Sequence, residues 1–148
     1  MPTYSVTSVE GCLDAPKRAK IASEITRIHS KTTGAPTYFA QVIFTEIAPG
    51  YYFVGGVPLK GHQVFVNGQI RGGRSPESKD SLIAQITATV AEASNLSKRN
   101  VWVYITDLVP RQMVEFGHVL PEAGDEARWA AALPEADRAH MQSFGLGA

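Results

Sequence analysis

Tyr4 and Val6 alternate with hydroxyl residues between positions 2 and 8, the period-two pattern of a strand. Asp14-Ala15-Pro16 then supplies a cap and a proline at a helix start, and Ile21, Ala22, Ile25 and Ile28 recur at helical spacing. Gly34 ends that helix ahead of Pro36, and residues 39–47 read as a second strand. Pro49-Gly50 and Gly55-Gly56 bracket residues 51–54, which predict a short hairpin arm. The same order then returns: a strand over 63–70, a helix over 76–95 with Leu82, Ile86 and Val90 inward, and a strand over 101–108. After Pro110 the pattern is less regular, and Pro134 splits two short helices at 126–132 and 135–143.

An ungapped offset of 61 residues brings the two halves into register, with Glu24-Ile25-Thr26 falling on Gln85-Ile86-Thr87 and the stretch from Val42 to Pro49 on that from Val103 to Pro110. Gly34 falls on Asn95, the two residue types that best tolerate a left-handed helix stop. The chain therefore reads as one α/β (α+β) domain over residues 1–148, built from two tandem βαβ units at roughly 2–49 and 63–110. Two such units give a four-stranded sheet with both helices on one face. The other face lacks an internal cover, so Phe44, Phe65 and Trp102 are expected to find burial in a homo-oligomer.

The 148 residues carry 14 basic and 14 acidic side chains, a balance that argues against a duplex nucleic-acid binder. At 44% hydrophobic and 19% charged, the composition also excludes a long disordered tail. A lone cysteine, Cys12, gives neither an internal disulfide nor a zinc spacing. No basic or apolar leader opens the chain, and no apolar run approaches the roughly 20 residues of a membrane span. These features predict a soluble, cytoplasmic protein without nucleic-acid or membrane partners.

The clearest local chemistry lies in Arg71-Gly72-Gly73-Arg74-Ser75, at a predicted strand-to-helix turn. Free backbone N–H groups and the positive helix end meet there, and two guanidinium groups add bidentate grips for a planar anion. A carboxylate fits better than a nucleotide, since neither GxGxxG nor the Walker Lys-Ser/Thr is present. His29 flanks the first helix's apolar stripe, and the other histidines show no metal-ligand spacing with it. Tyr104 alternates opposite to Val103 and Ile105, which points it at the uncovered face. Glu115 sits among apolar neighbours, where burial demands a hydrogen bond or an arginine partner. Each of these also has a plain reading: a solvated arginine turn, a packed histidine, an interface aromatic, a solvent-facing glutamate. Pro2 follows the initiator; if Met1 is removed, Pro2 presents a secondary amine titrating near neutrality, with pKa about 8.

Taken together, Pro2, His29, Arg71, Arg74, Tyr104 and Glu115 on two tandem strand–helix–strand units resemble the tautomerase superfamily, more narrowly its cis-3-chloroacrylic acid dehalogenase group. The resemblance implies the tautomerase fold, a homotrimer and a cofactor-free, metal-free site around the amino-terminal proline. By that analogy His29, Arg71 and Arg74 bind a substrate carboxylate, Pro2 moves a proton, and Tyr104 with Glu115 orient or activate water. One loop departs from the dehalogenase pattern: Ala35 stands where a second hydroxyl is expected, and Phe39 where a smaller aliphatic residue is usual. That change favours a larger, aryl-bearing enol over a three-carbon haloacid. The expected activity is thus a tautomerase on enol or α,β-unsaturated carboxylates with promiscuous hydratase or dehalogenase activity. The alternatives are a dedicated cis-3-haloacrylate dehalogenase or hydratase, and a non-catalytic carboxylate-binding or interaction protein.

Overall fold

The computed structural model describes residues 2–146; Met1, and with it the question of its removal, lies outside them. Strand β1 (Thr3–Val9) buries Tyr4, Val6 and Ser8 on one face. Helix α1 (Ala15–Thr33) starts where the Asp14 carboxylate accepts the Lys17 N–H at 2.9 Å, and ends at Gly34, whose φ of 73° lets its N–H reach the Ser30 carbonyl. After a single 3₁₀ turn, β2 (Gln41–Ile47) leads into the hairpin of β3 (Phe53–Val54) and β4 (Val57–Pro58). Strand β5 (Val64–Arg71) and helix α2 (Pro76–Ser94) open the second unit, with Ser75 as cap and Asn95 at φ 60° as stop. Strand β6 (Val101–Leu108), a hairpin of β7 (Val114–Glu115) and β8 (His118–Val119), and helices α3 (Glu126–Ala132) and α4 (Glu135–Gln142) complete the chain.

The sheet runs β2-β1-β5-β6, with β1 parallel to β2, antiparallel to β5, and β5 parallel to β6. Ile21, Ile25 and Ile28 of α1 and Leu82, Ile86 and Val90 of α2 pack with Tyr4, Val6, Val64, Val66 and Ile70, so both helices cover the same face. A second cluster of Phe39, Leu120, Leu133 and Met141 fastens the C-terminal helices to the 3₁₀ turn Thr37–Phe39. Among the described residues no helix is long and apolar enough to cross a membrane, and no three His, Cys, Asp or Glu side chains are grouped to hold a metal.

The open face holds Phe65, Trp102 and Tyr104, as the alternation predicts, with Trp102 42% exposed. Phe44 does not belong with them. The register pairs Phe44 with Val6, which turns its ring toward the helices, where it packs with Val42 against the core. The second strand also starts later than expected, at Gln41, because residues 37–39 form the 3₁₀ turn that buries Phe39 in the second cluster.

The repeat extends further than its sequence signal. At the same offset, β3 and β4 fall on β7 and β8, and Gly55-Gly56 (φ 63° and 80°) falls on Phe116-Gly117 (φ 52° and 82°). The second hairpin carries no glycine-pair signal in the sequence, because a phenylalanine occupies the first left-handed turn position. That conformation costs a bulky residue about 1–2 kcal/mol. Phe116 is held there by ring contacts with Phe39, His140 and Phe144 at 6.0–6.1 Å between centroids. The opening strands break the register: their buried positions are Tyr4, Val6, Ser8 and Val64, Val66, Gly68, Ile70, opposite in parity at this offset. The difference falls between strand and helix, in the segment that carries Arg74.

Candidate active site

Antiparallel pairing decides what meets at one end of the sheet. Thr3 lies opposite Gln69, so the start of β1, with buried Pro2, comes beside the end of β5, with Ile70 and Arg71. Arg71 is 1% exposed. Its Nη1 donates to the Pro121 carbonyl at 2.9 Å, its Nη2 pairs with the Glu126 carboxylate, and its buried Nε has no partner among the described residues. Arg74 donates from Nη1 to the Thr33 carbonyl at 2.9 Å, so it both fastens the last turn of α1 and meets the negative end of that helix. Burial, then the Arg71 charge, lowers the Arg74 pKa, while Glu126 acts the other way.

Arg71 and Arg74 share a cavity of about 470 Å³ with Ala35, Phe39, Glu126 and Trp129. The loop after α1 therefore borders the arginines. Glu126 carries no sequence signal of this role: it lies 55 residues from Arg71, and no local pattern marks its partner. It also accepts the Gly124 N–H at 2.8 Å. These two contacts, each favouring the ionised form, outweigh partial burial and leave its pKa below the usual carboxylate range.

His29 is 3% exposed, on the buried side of α1, and its Nδ1 lies 2.8 Å from the Tyr4 hydroxyl. Burial above all, then the Arg74 charge, pushes its pKa down to about 3, so the imidazole is neutral at physiological pH. The sign of the linkage follows. Between pH 6.5 and about 3 the unfolded chain binds a proton here that the native one refuses, so stability falls as the pH is lowered through that window. Urea unfolding at pH 7.5 and pH 4 will show this acid loss shrinking by a few kcal/mol in His29→Gln; equal losses in the two proteins would exclude it.

The remaining two residues stand apart from the arginines within one chain. Tyr104 is 56% exposed on the open sheet face, its ring edge-on to Phe65 at 5.0 Å. Glu115, on β7, lines a larger cavity of about 940 Å³ together with Gln41, Met113, Phe116 and Phe144. Tyr38 and Phe39 line both cavities, so they form the wall between them.

Comparison with known proteins bears on this arrangement. Residues 1–133 match the family model described as "Putative oxalocrotonate tautomerase enzyme". The chain belongs to the tautomerase superfamily. A solved member of the cis-3-chloroacrylic acid dehalogenase family, N1, is 34% identical, with a TM-score of 0.92 over 96% of this chain and 99% of that one. The structure of native Ps01740 is 29% identical over 76% of this chain and 99% of that one, at a TM-score of 0.73. A fused 4-OT described as a symmetric trimer shares the fold at 20% identity and a TM-score of 0.70, over 76% of this chain and 90% of that one. No curated protein matches the chain. Within the superfamily, then, this tautomerase-fold chain stands with the cis-3-chloroacrylic acid dehalogenase-like group.

Proposed function

We propose that this superfamily member is a cofactor-independent tautomerase acting on enol or α,β-unsaturated carboxylates, with the Pro2 nitrogen as acid and base. The observation that carries the reading is the pairing of Arg71 and Arg74 in one cavity at the sheet end where β1 begins. Arg74, the less encumbered guanidinium, takes the substrate carboxylate, and the unpartnered Nε–H of Arg71 offers a second donor. Neutral His29 adds a hydrogen bond without adding charge. The Pro2 nitrogen accepts the enol hydroxyl proton and delivers one to the neighbouring carbon, giving the 2-oxo acid. The arginines stabilise charge that spreads into the carboxylate during the transfer. The aromatic wall of Tyr38 and Phe39 suits an aryl group. Three chains assembling through the open sheet face would bury Phe65, Trp102 and Tyr104 and supply Tyr104 to a site shared between chains.

Phenylenolpyruvate, the simplest aryl enolpyruvate, tests this. Arg74→Ala is expected to lower kcat/KM by about 10²–10³-fold with the fold retained; unchanged kinetics would remove the arginine from the reaction.

The second reading is a dedicated cis-3-haloacrylate dehalogenase or hydratase, favoured by a carboxylate, Glu115, on the neighbouring cavity. Water then adds to the halogen-bearing carbon, Pro2 protonates its neighbour, and halide and a proton leave to give the aldehyde acid. Halide release abolished in Glu115→Gln supports that reading; retained release counts against Glu115 as the activator of water.

A further inference from the structure

Tyr4 is 0% exposed, on the helix-covered face near the start of β1, and its ring lies over Gly68 of the neighbouring strand. A Cβ at Gly68 would sit 2.5 Å from Tyr4 Cε1, so the glycine keeps open the slot the ring occupies. Burial raises the phenol's pKa well above its ordinary value, which keeps the hydroxyl protonated. Among the described residues its partner is His29 Nδ1, at 2.8 Å. Two proton arrangements satisfy that distance. If Nδ1–H donates to the hydroxyl oxygen, the phenolic O–H is left as a buried donor with no acceptor, at a cost of about 1–3 kcal/mol. If the O–H donates to Nδ1, an oxygen lone pair goes unused and the ring proton resides on Nε2, which finds no acceptor among the described residues but is not fully enclosed, so that N–H is left for a ligand.

Core packing alone does not call for this pair. In the second unit Val90 stands at the place of His29, and the covered positions of β5 are Val64, Val66, Gly68 and Ile70. The same helix-on-sheet core is built there from hydrocarbon.

We propose that Tyr4 is a positioning residue that acts through His29: its hydroxyl donates to Nδ1, fixes the ring's orientation and holds the Nε2–H tautomer, so that the neutral imidazole offers an N–H to a carboxylate beside Arg74. The functional half of this rests on the reading above; the tautomer half does not. A serine or threonine on β1 would be too short to reach the helix, and phenylalanine would keep the packing but lose the proton.

Long-range ¹H–¹⁵N spectra of the histidine rings in the native protein are expected to show His29 as a fixed Nε2–H tautomer, assigned by its loss in His29→Gln. An Nδ1–H pattern would overturn the proposal without any variant of Tyr4 having to fold. In Tyr4→Phe the fixed pattern should give way to exchanging tautomers, and KM for phenylenolpyruvate should rise about tenfold with kcat little changed. A Tyr4→Phe protein that keeps the fixed Nε2–H pattern would overturn it too. Adding Tyr4→Phe to His29→Gln should change KM no further, whereas additive losses would mean that Tyr4 does not work through the imidazole. If native protein turns over no enol at all, the functional reading fails while the spectra still decide the tautomer.

Discussion

Replacing Pro2 by alanine will lower kcat/KM for phenylenolpyruvate by about 10²–10⁴-fold, the range a positioned general acid–base group contributes. The substitution leaves an amine of similar basicity, so the loss comes from position rather than pKa. The Pro2 carbonyl accepts the Gln41 N–H at 3.0 Å, which ties the residue to β2. With the initiator gone, the pyrrolidine ring still removes rotation about the N–Cα bond, which restricts where the nitrogen lone pair can point. A primary amine on an unringed α-carbon rotates freely and recruits water. Misplacement by about 1 Å is enough to cost a hundredfold. Steady-state rates of the two proteins, each with an intact mass showing the initiator removed, make the comparison. Equal rates would exclude the nitrogen from the chemistry, and a native mass that retains Met1 would do the same, because that nitrogen would be an amide. It would instead favour the carboxylate-binding alternative.

Arg71→Ala will be read in stability before activity, with a loss of about 3 kcal/mol in the unfolding free energy. The side chain is fully enclosed, and it fastens two pieces of chain to β5: the Pro121 carbonyl and Glu126 at the start of α3. Truncation opens a void, strands the carbonyl and frees the helix start. Glu126 is partly exposed and recovers water, which keeps the loss below that of a wholly buried pair. Arg71→Met, of similar volume, should recover part of the stability but none of the carboxylate binding. Chemical denaturation of both variants checks this, and an Arg71→Ala protein within 1 kcal/mol of native would show that the guanidinium is not the fastening it resembles. The two arginines are therefore expected to divide: Arg74 read mainly in turnover, Arg71 in turnover and stability together.

Local chemistry made most of the fold legible. Asp14 as a cap, Pro76 as a helix start, Gly34 and Asn95 as stops, and the spacing of Ile21, Ile25, Leu82 and Ile86 give both helices within a residue or so of their ends. Two features were hidden because a local signal was missing or ambiguous. Phe116 replaces the glycine that marks the equivalent hairpin in the first unit, and an apolar run beginning at Phe39 does not say where a 3₁₀ turn gives way to a strand. Phe44 likewise faces the helices although its hydrophobicity alone suits either face, since face depends on register.

The site was legible only as far as its residues are chemically conspicuous. Arg71 and Arg74 announce an anion cavity from a single turn, and the structure brings them together. Glu126 and Tyr4 announce nothing, because what matters is a partner 55 or 25 residues away. Such pairings are set by the strand order and by the docking of the C-terminal helices, neither of which any window of sequence contains.

The repeat also divides the labour of the proposed site. Pro2, Tyr4 and His29 belong to the first unit, while Arg71, Arg74, Tyr104 and Glu115 belong to the second. The second unit's opening strand follows Gln63 through an ordinary peptide bond, so no processing of the first strand can give the second an amine. Neither half could be doubled in place of the other: two first halves would hold a proton carrier with no anion grip, and two second halves the reverse. Mutations that drift in one half are thus answerable to the other, and the interface between them has to be inherited whole.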